Sequence, residues 1–348
     1  MSGPAGGGPG PDDGPGGGVG PFRSGFVAVV GRPNVGKSTL VNRIVGTKVT
    51  ITSPRPNTTR SQVRGVLSRP DAQAVFVDTP GLHRPRTALG ERMNDSASSS
   101  MEDVDVVVAM VEATGAVGPG DRMVLGQAAR RVRAMARAAA LGRELAPGDG
   151  GDGGDPALLV VVNKIDRVGG DGILGHLAAV SGVIAALDEE DGVVVEGPGG
   201  TPGRPPLPVE YFPVSAATGE GVEALVEAVV SRLPEGPQYY PDGMVSDATE
   251  AQWVADLVRE ELLHRVVDEL PHSIACRVTE WEWPRVRCEI LVERDSQKGI
   301  VIGRGGETLK EVGTAVRAQL PPGAYLELFV RVEKRWQQRD DALDRLGL

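Results

Sequence analysis

The sequence predicts an α/β P-loop domain built on a mostly parallel sheet, followed by a smaller α+β domain. Three observations carry this. Valine-rich apolar runs alternate with helical stretches from Phe26 to Leu233. Between the first run and the first helix lies Gly31-Arg32-Pro33-Asn34-Val35-Gly36-Lys37-Ser38, a G-x-x-x-x-G-K-S segment. Beyond a Pro- and Gly-rich stretch that opens at Pro234, the order becomes one helix, two long strand-like runs, a Gly-rich turn, a helix and a strand.

Length and composition set the bounds. A chain of 348 residues is long enough for two domains, each with its own core. Aromatics make up only 4%, so the core must be mostly Val, Leu, Ile and Ala, which suits a sheet buried on both faces. Two cysteines, Cys276 and Cys288, are too few for a disulfide framework and lack metal-ligand spacing. No apolar run approaches a bilayer span, and the Gly/Pro/Asp-rich start is unlike a signal sequence, so a reduced, cytoplasmic protein is expected. A net charge of −10 argues against wholesale coating of nucleic acid but leaves room for a local basic face.

Taken in order, residues 1–24 are a Gly/Pro tail that cannot bury enough apolar surface to order itself. The P-loop domain spans 25–234. After its first strand and helix come a Pro-rich loop over 53–60, strands at 63–67 and 74–77, a helix over 88–101, a strand over 104–111 and a helix over 121–145. Then follow a Gly/Asp loop near 147–156, a strand at 158–162, a helix over 172–187, a second Gly/Pro stretch near 196–208, a strand at 209–214 and a helix over 221–233. Residues 235–250 read as a linker. The second domain spans 251–348 and opens on an amphipathic helix from Trp253 to Leu270.

The P-loop spacing dictates a chemistry. Its glycines turn successive backbone N–H groups inward as a nest for phosphate oxygens, and the following helix adds its own free N–H groups and positive end. Gly31, Asn34, Val35, Gly36, Lys37, Ser38 and Thr39 form this cradle. Lys37 would reach the β- and γ-phosphates, and Ser38 would ligate Mg²⁺. Asp78-Thr79-Pro80-Gly81 ends a later strand, where the carboxylate can hold the Mg²⁺ shell and the Gly81 N–H can meet a γ-phosphate. A threonine of the 53–60 loop would complete the metal's coordination: Thr59 is the choice, with Thr58 the neighbour it could be confused with. Asn163-Lys164-Ile165-Asp166 also ends a buried strand. Asp166 there can accept from guanine N1–H and N2–H₂, a pair adenine does not offer. Lys164 would lie over the base, Ser215-Ala216 would present backbone N–H to O6, and Ala217 is counted with them among the nucleotide-binding residues. The expected ligands are GTP and GDP with Mg²⁺, and Lys37, Thr59 and Gly81 are the expected catalytic contacts.

In the second domain, Val301-Ile302-Gly303-Arg304-Gly305-Gly306-Glu307 is an apolar pair, a G-x-x-G turn and a helix start. It resembles the KH signature, whose loop lets a nucleic-acid backbone approach closely and whose groove takes about four nucleotides. The helix-first order resembles the type II KH topology. Residues 275–348 carry 13 basic and 12 acidic side chains, far from the balance of the whole chain. Ile302, Gly303, Arg304, Gly305, Gly306 and Lys310 are the expected RNA contacts.

The first domain resembles the translation-factor-related GTPases. Further segments make the resemblance specific: Gly81-Leu82-His83-Arg84-Pro85, Leu89-Gly90-Glu91-Arg92-Met93-Asn94, Leu270-Pro271-His272-Ser273-Ile274-Ala275, Leu326-Glu327-Leu328-Phe329-Val330 and Leu346-Gly347-Leu348. Over residues 22–348 the chain resembles the Era family, bacterial GTPases of small ribosomal subunit assembly. It departs in the tail and in the two Gly-rich loops. The resemblance implies a GTP-hydrolysing switch that docks its KH domain near the 3′ end of 16S rRNA on the 30S subunit and leaves after hydrolysis. It also implies peripheral association with the inner face of the cell membrane, and a monomer is expected. Ras-like relatives carry a water-orienting Gln where this chain has Leu82, so unaided hydrolysis should be slow. Asn34 matches the asparagine that helps hold K⁺ in relatives, which would make it catalytic; a plain turn residue is the other reading. His83 reads as a switch-loop residue rather than a base. A tandem GTPase would need a second P-loop, and an RNA-binding scaffold with a structural guanine nucleotide is the alternative from another class.

Overall fold

The computed structural model describes residues 21–82, 85, 87–145, 155–190, 206–266 and 270–348. Its first sheet has the order β2-β3-β1-β4-β5-β6, from β1 (Arg23–Gly31), β2 (Val63–Ser68), β3 (Ala72–Asp78), β4 (Val106–Glu112), β5 (Leu158–Asn163) and β6 (Val209–Val214). All neighbours are parallel except the β2–β3 hairpin at the edge. The helices are α1 (Lys37–Val45), α2 (Ala88–Ser99), α3 (Pro119–Leu145), α4 (Gly170–Glu190) and α5 (Val222–Val230). The apolar run of β1 is continuous because both faces are covered: Val27 and Val29 pack with residues of α1 and α5, Ala28 and Val30 with residues of α2, α3 and α4. The crevice at the carboxyl ends of these strands is where such sheets bind ligands.

By length and composition α4 is long and apolar enough to cross a membrane, contrary to the expectation that no apolar run approaches a bilayer span. It is instead the crossover between the hydrogen-bonded parallel strands β5 and β6, and His176, Val180 and Ile184 are buried along it.

The second sheet is β7 (Ala275–Glu282), β8 (Arg285–Val292) and β9 (Tyr325–Val332), with β7–β8 antiparallel and β8–β9 parallel. Around it lie α6 (Glu250–Arg265), α7 (Asp295–Ile302), α8 (Glu307–Arg317) and α9 (Asp340–Leu346). Leu257, Val258 and Leu262 of α6 and Val312 and Val316 of α8 bury against Cys288, Ile290 and Val292 of β8. Burial pushes the Cys276 thiol up to about 12 and that of Cys288 well above its ordinary range, so both behave as small hydrophobes.

Four expectations change. The tail assigned to residues 1–24 is shorter at its inner end: Ser24 is in β1, and its hydroxyl donates to the Pro237 carbonyl at 2.7 Å. Residues 1–20 and much of the two Gly-rich loops lie outside the described residues. The linker at 235–250 is strapped to the first sheet. Buried Gln73 accepts from the Tyr239 and Tyr240 amides at 2.8 and 2.9 Å and donates to the Tyr240 carbonyl. The helix expected from Trp253 to Leu270 ends at Arg265, with Val266 already extended at ψ 151°. Val266 and Leu270 still enter the same core, which is why the apolar spacing ran on past the helix end. Finally, α7 was not anticipated; its Gly299-Ile300-Val301-Ile302 end favours a strand by composition, whereas Gln297 caps it by accepting from the Glu293 and Arg294 amides.

The start of α5 fixes the loop after β6. Gly221 has φ 74°, and a Cβ there would lie 2.2 Å from the Pro213 carbonyl oxygen. Gly221→Ala should therefore destabilise the protein by about 1–3 kcal/mol, read as a lowered urea midpoint; an unchanged midpoint would show that the loop can move aside.

Candidate functional site

The P-loop leaves β1 and enters α1 through Gly36, a left-handed residue at φ 104° whose Cβ would fall 2.3 Å from Asn163 Nδ2. Only glycine lets β5 approach the loop so closely. Asn163 uses the proximity: its Nδ2 donates to the Val35 carbonyl at 2.7 Å, and its Oδ1 accepts from the Ala216 amide at 3.0 Å. This one buried side chain ties the phosphate loop to the loop after β6. Lys37 Nζ donates to the Gly31 and Arg32 carbonyls, both at 3.1 Å. Burial pushes Lys37 down to about 8, against the opposing pull of Asp78.

Asp78, at the end of β3, is fully buried and gathers three segments. Its Oδ2 accepts from Ser38 at 2.7 Å, Thr50 at 2.9 Å and Thr59 at 3.2 Å. Ser38 and Thr59 hydroxyls lie 3.0 Å apart. The other oxygen, Oδ1, is buried with no hydrogen-bond partner among the described residues. Burial raises the Asp78 pKa, opposed first by Lys37. Two hydroxyls and one carboxylate, with its Oδ1 unspent, form the hard-oxygen donor set that suits Mg²⁺. Thr58 turns the other way, its hydroxyl bonding Ser53 Oγ at 2.7 Å and the Arg55 carbonyl at 2.8 Å.

A cavity of about 400 Å³ joins these groups. Among its lining residues are Gly36, Lys37, Ser38, Thr39, Thr59 and Gly81. Gly81 sits against the P-loop, where a Cβ would meet the Pro33 nitrogen at 2.6 Å. Thr79 and Pro80 are buried behind it, and the Thr79 hydroxyl is spent on the Val29 carbonyl at 2.9 Å. Leu82 is 2% exposed and faces the core, so nothing at that position orients water. His83 lies outside the described residues.

At the base side, Ser215 Oγ donates to Asp166 Oδ1 at 2.6 Å and fixes the carboxylate. Lys164, left-handed at φ 66°, bonds the Asn34 carbonyl at 2.8 Å and Glu112 at 2.9 Å. The Ser215 amide is spent on Glu220 O at 2.9 Å and that of Ala216 on Asn163, so the amide these bonds leave for a base is that of Ala217. Asn34 is left-handed at φ 65°, and its Nδ2 donates to the Pro54 carbonyl at 2.9 Å. Sequence reading missed Thr50, Glu112 and Arg167. Thr50 brings a buried hydroxyl to Asp78 because its backbone carbonyl and amide are held by the Asn42 side chain, a pairing that no motif spells out.

In the second unit, Gly303 (φ 76°, ψ 173°) closes α7, Gly305 and Gly306 are left-handed, and α8 starts at Glu307. Arg304 and Lys310 are exposed, Ile302 is half-buried, and neighbouring Ile300 stands 55% exposed.

A family model described as "50S ribosome-binding GTPase" matches residues 26–138, and one described as "KH domain" matches 269–337. GTPase Era of Mycobacterium avium is 44% identical over 338 residues, covering 94% of this chain and 99% of the relative. This chain belongs to the Era GTPase family. The Era of Mycobacterium tuberculosis is 43% identical over the same shares. Among solved structures, Era in complex with MgGDPNP and nucleotides 1506–1542 of 16S ribosomal RNA is 32% identical with a TM-score of 0.74, covering 94% of this chain and 99% of that one. An Aquifex aeolicus Era variant bound to GDP·AlF₄⁻ is 31% identical with a TM-score of 0.73 over the same shares. As an Era-family GTPase, this chain hydrolyses GTP to GDP and phosphate, and it pairs the P-loop GTPase fold with a C-terminal KH domain.

Proposed function

We propose that this chain is a GTP-driven switch of 30S subunit assembly, with a nucleotide site in residues 25–234, a strapped linker at 235–250 and an RNA site in 251–348. The observation that carries this is the cavity at the carboxyl ends of the sheet strands, lined by P-loop residues Asn34 and Gly36 to Thr39, by Ser38 and Thr59 of the Asp78 cluster, and by Lys164 and Arg167, which flank Asp166 in sequence. In this reading the amides of Asn34 to Thr39 and the Lys37 ammonium take the phosphates, and Gly81 N–H faces the γ-phosphate. Ser38, Thr59 and Asp78 hold Mg²⁺, which when bound neutralises charge on the phosphate oxygens. Asp166 pairs with guanine N1–H and N2–H₂, kept in register by Ser215, while Ala217 N–H meets O6 and the Lys164 stem covers the base. Support for the RNA site comes from the relative solved with nucleotides 1506–1542 of 16S rRNA and from the exposed Arg304 and Lys310 beside the glycine turn. We read the protein as a cytoplasmic monomer that also associates peripherally with the inner membrane face, on the family resemblance.

Asp166→Asn should lower GDP affinity by roughly 100-fold or more and favour xanthine nucleotides, whose C2 carbonyl accepts from an amide. Calorimetry with GDP and XDP reads this, and unchanged GDP binding would end the guanine reading.

Because Leu82 is buried, a cation held beside the phosphates is left to supply charge at the reacting end. We assign this to K⁺, with Asn34 as its protein ligand. Turnover should be faster in KCl than in NaCl, and Asn34→Asp should change that ratio; equal rates in the two salts for the parent chain would remove K⁺ from the account.

For the RNA site, Gly303 is the wrong probe, because a Cβ there would strike the Thr308 amide nitrogen at 2.8 Å. Gly305 faces open space at φ 62°, a conformation aspartate tolerates. Gly305→Asp should weaken binding of a single-stranded 16S 3′-end oligonucleotide by roughly ten-fold or more through repulsion of phosphate, read by fluorescence anisotropy. Equal affinity would take the turn out of the interface.

A further inference from the structure

The loop that delivers Thr59 is gripped from the other unit. Two consecutive residues of α6, Arg259 and Glu260, are 5% and 3% exposed and carry charge into the interface between the units. Arg259 donates from one terminal nitrogen to the Thr58 carbonyl and from the other to the Asn57 carbonyl at 2.8 Å. Glu260 accepts from the Thr52 amide at 2.9 Å and from Lys48. The Val266 carbonyl just past α6 accepts from Arg55 at 3.2 Å. About two turns of helix and the residue after them therefore touch both ends and the middle of the 52–58 segment.

The position of Arg259 is specific. Asn57 is left-handed at φ 62°, so its carbonyl and that of Thr58 point together toward α6. A planar guanidinium can hold two carbonyls at once, which an ammonium cannot do with one fixed geometry. Thr59 is the next residue, and its hydroxyl is the one near Ser38 and Asp78. A buried guanidinium is costly when its acceptors leave, so displacing the loop from Asp78 also strips Arg259 of two carbonyls and leaves it, among the described residues, only the nearby Asp256 carboxyl. If only packing were needed here, an apolar residue of similar size would serve as well or better.

We propose that Arg259 is a positioning residue for GTP hydrolysis: from α6 of the RNA-binding unit it holds the Asn57 and Thr58 carbonyls and so presents the Thr59 hydroxyl to the Ser38–Asp78 metal cluster, with Glu260 fixing the other end of the loop. This rests on the reading of Thr59 as a metal ligand. By linkage, whatever shifts α6 shifts metal affinity, and metal binding shifts α6 by the same free energy.

The test titrates Mg²⁺ into GTP turnover by the full chain, comparing the parent with Arg259→Met, Arg259→Lys and Thr59→Ala. Arg259→Met should raise the half-saturating Mg²⁺ by roughly ten-fold and lower kcat, with a smaller change in KM for GTP, an ordinary size for coupling between linked sites. Arg259→Lys should recover part of the loss. GDP affinity without Mg²⁺ reports that the nucleotide domain has folded. A parental Mg²⁺ dependence in Arg259→Met, with Thr59→Ala clearly shifted, overturns the proposal and leaves the metal site standing. No shift in Thr59→Ala overturns both. Should Arg259→Met fail to fold, hydrogen exchange over 52–60 in Arg259→Lys with Mg²⁺ and a GTP analogue decides: faster exchange than the parent supports the clamp, and equal protection overturns it.

Discussion

Two buried charges at the end of β3 and the start of α1 set the terms for everything around them. Burial pushes Asp78 and Lys37 each toward its neutral form while each draws the other back. The balance is struck with local dipoles: three hydroxyls on one Asp78 oxygen, and two P-loop carbonyls on the lysine. These partners come from α1, the segment after it, the 52–59 loop and β1. The carboxylate therefore ties three stretches of chain to the end of β3, and the lysine adds the start of the P-loop. In the proposed reading a polyphosphate with its cation would give each charge a counter-charge, completing what these local dipoles balance only in part.

Most of this was legible because the motifs are local and sit at strand ends. Once Val27–Val30 reads as a strand buried on both faces, Gly31 to Ser38 must lie at its carboxyl edge, and the same reasoning places Asp78, Asn163 and Ser215. What stayed hidden depends on partners far away in sequence. Composition cannot say that the Ala216 amide is already taken, because its acceptor is 53 residues earlier. Thr58 and Thr59 are indistinguishable as letters and separate only when the first turns back on Arg55. Arg259 looks like an ordinary solvent-side residue of an amphipathic helix, and its acceptors lie 201 and 202 residues away. The end of α6 was misplaced for a related reason: the core rewards an apolar residue at 270 whether or not a helix carries it there.

The two units share more than a tether. Leu89 and Met93 of α2 pack with Ala275, Leu291, Trp336 and Leu343 in one small core, and Arg92 reaches Asp340 at 2.9 Å and Asp344 at 2.6 Å. Arg60, one residue past Thr59, donates to the Ile274 carbonyl at 2.6 Å and lies 5.5 Å from the Trp336 ring. Exposed ion pairs such as those of Arg92 add little stability, so the shared apolar cluster and the buried arginines carry the attachment. All of them contact the stretches on either side of the Asp78 cluster. A change in the geometry of residues 52–60 is therefore a change in how the RNA-binding unit is seated.

A chain of net charge −10 that binds two polyanions cannot rely on its overall field, which repels both. Its affinity has to be built from short-range features: backbone nests, helix N-termini and a few cations placed within hydrogen-bond reach. That requirement explains why glycine turns recur at both sites, at 31–36 and at 303–306, since backbone amides bring positive ends close to phosphate without adding net charge. Around the nucleotide site the cations are held rather than loose. Lys37 is buried in its own loop, and Arg259 is committed to backbone carbonyls. With long-range steering unfavourable, recognition depends on geometry, and the geometry of the nucleotide site depends in turn on where α6 stands.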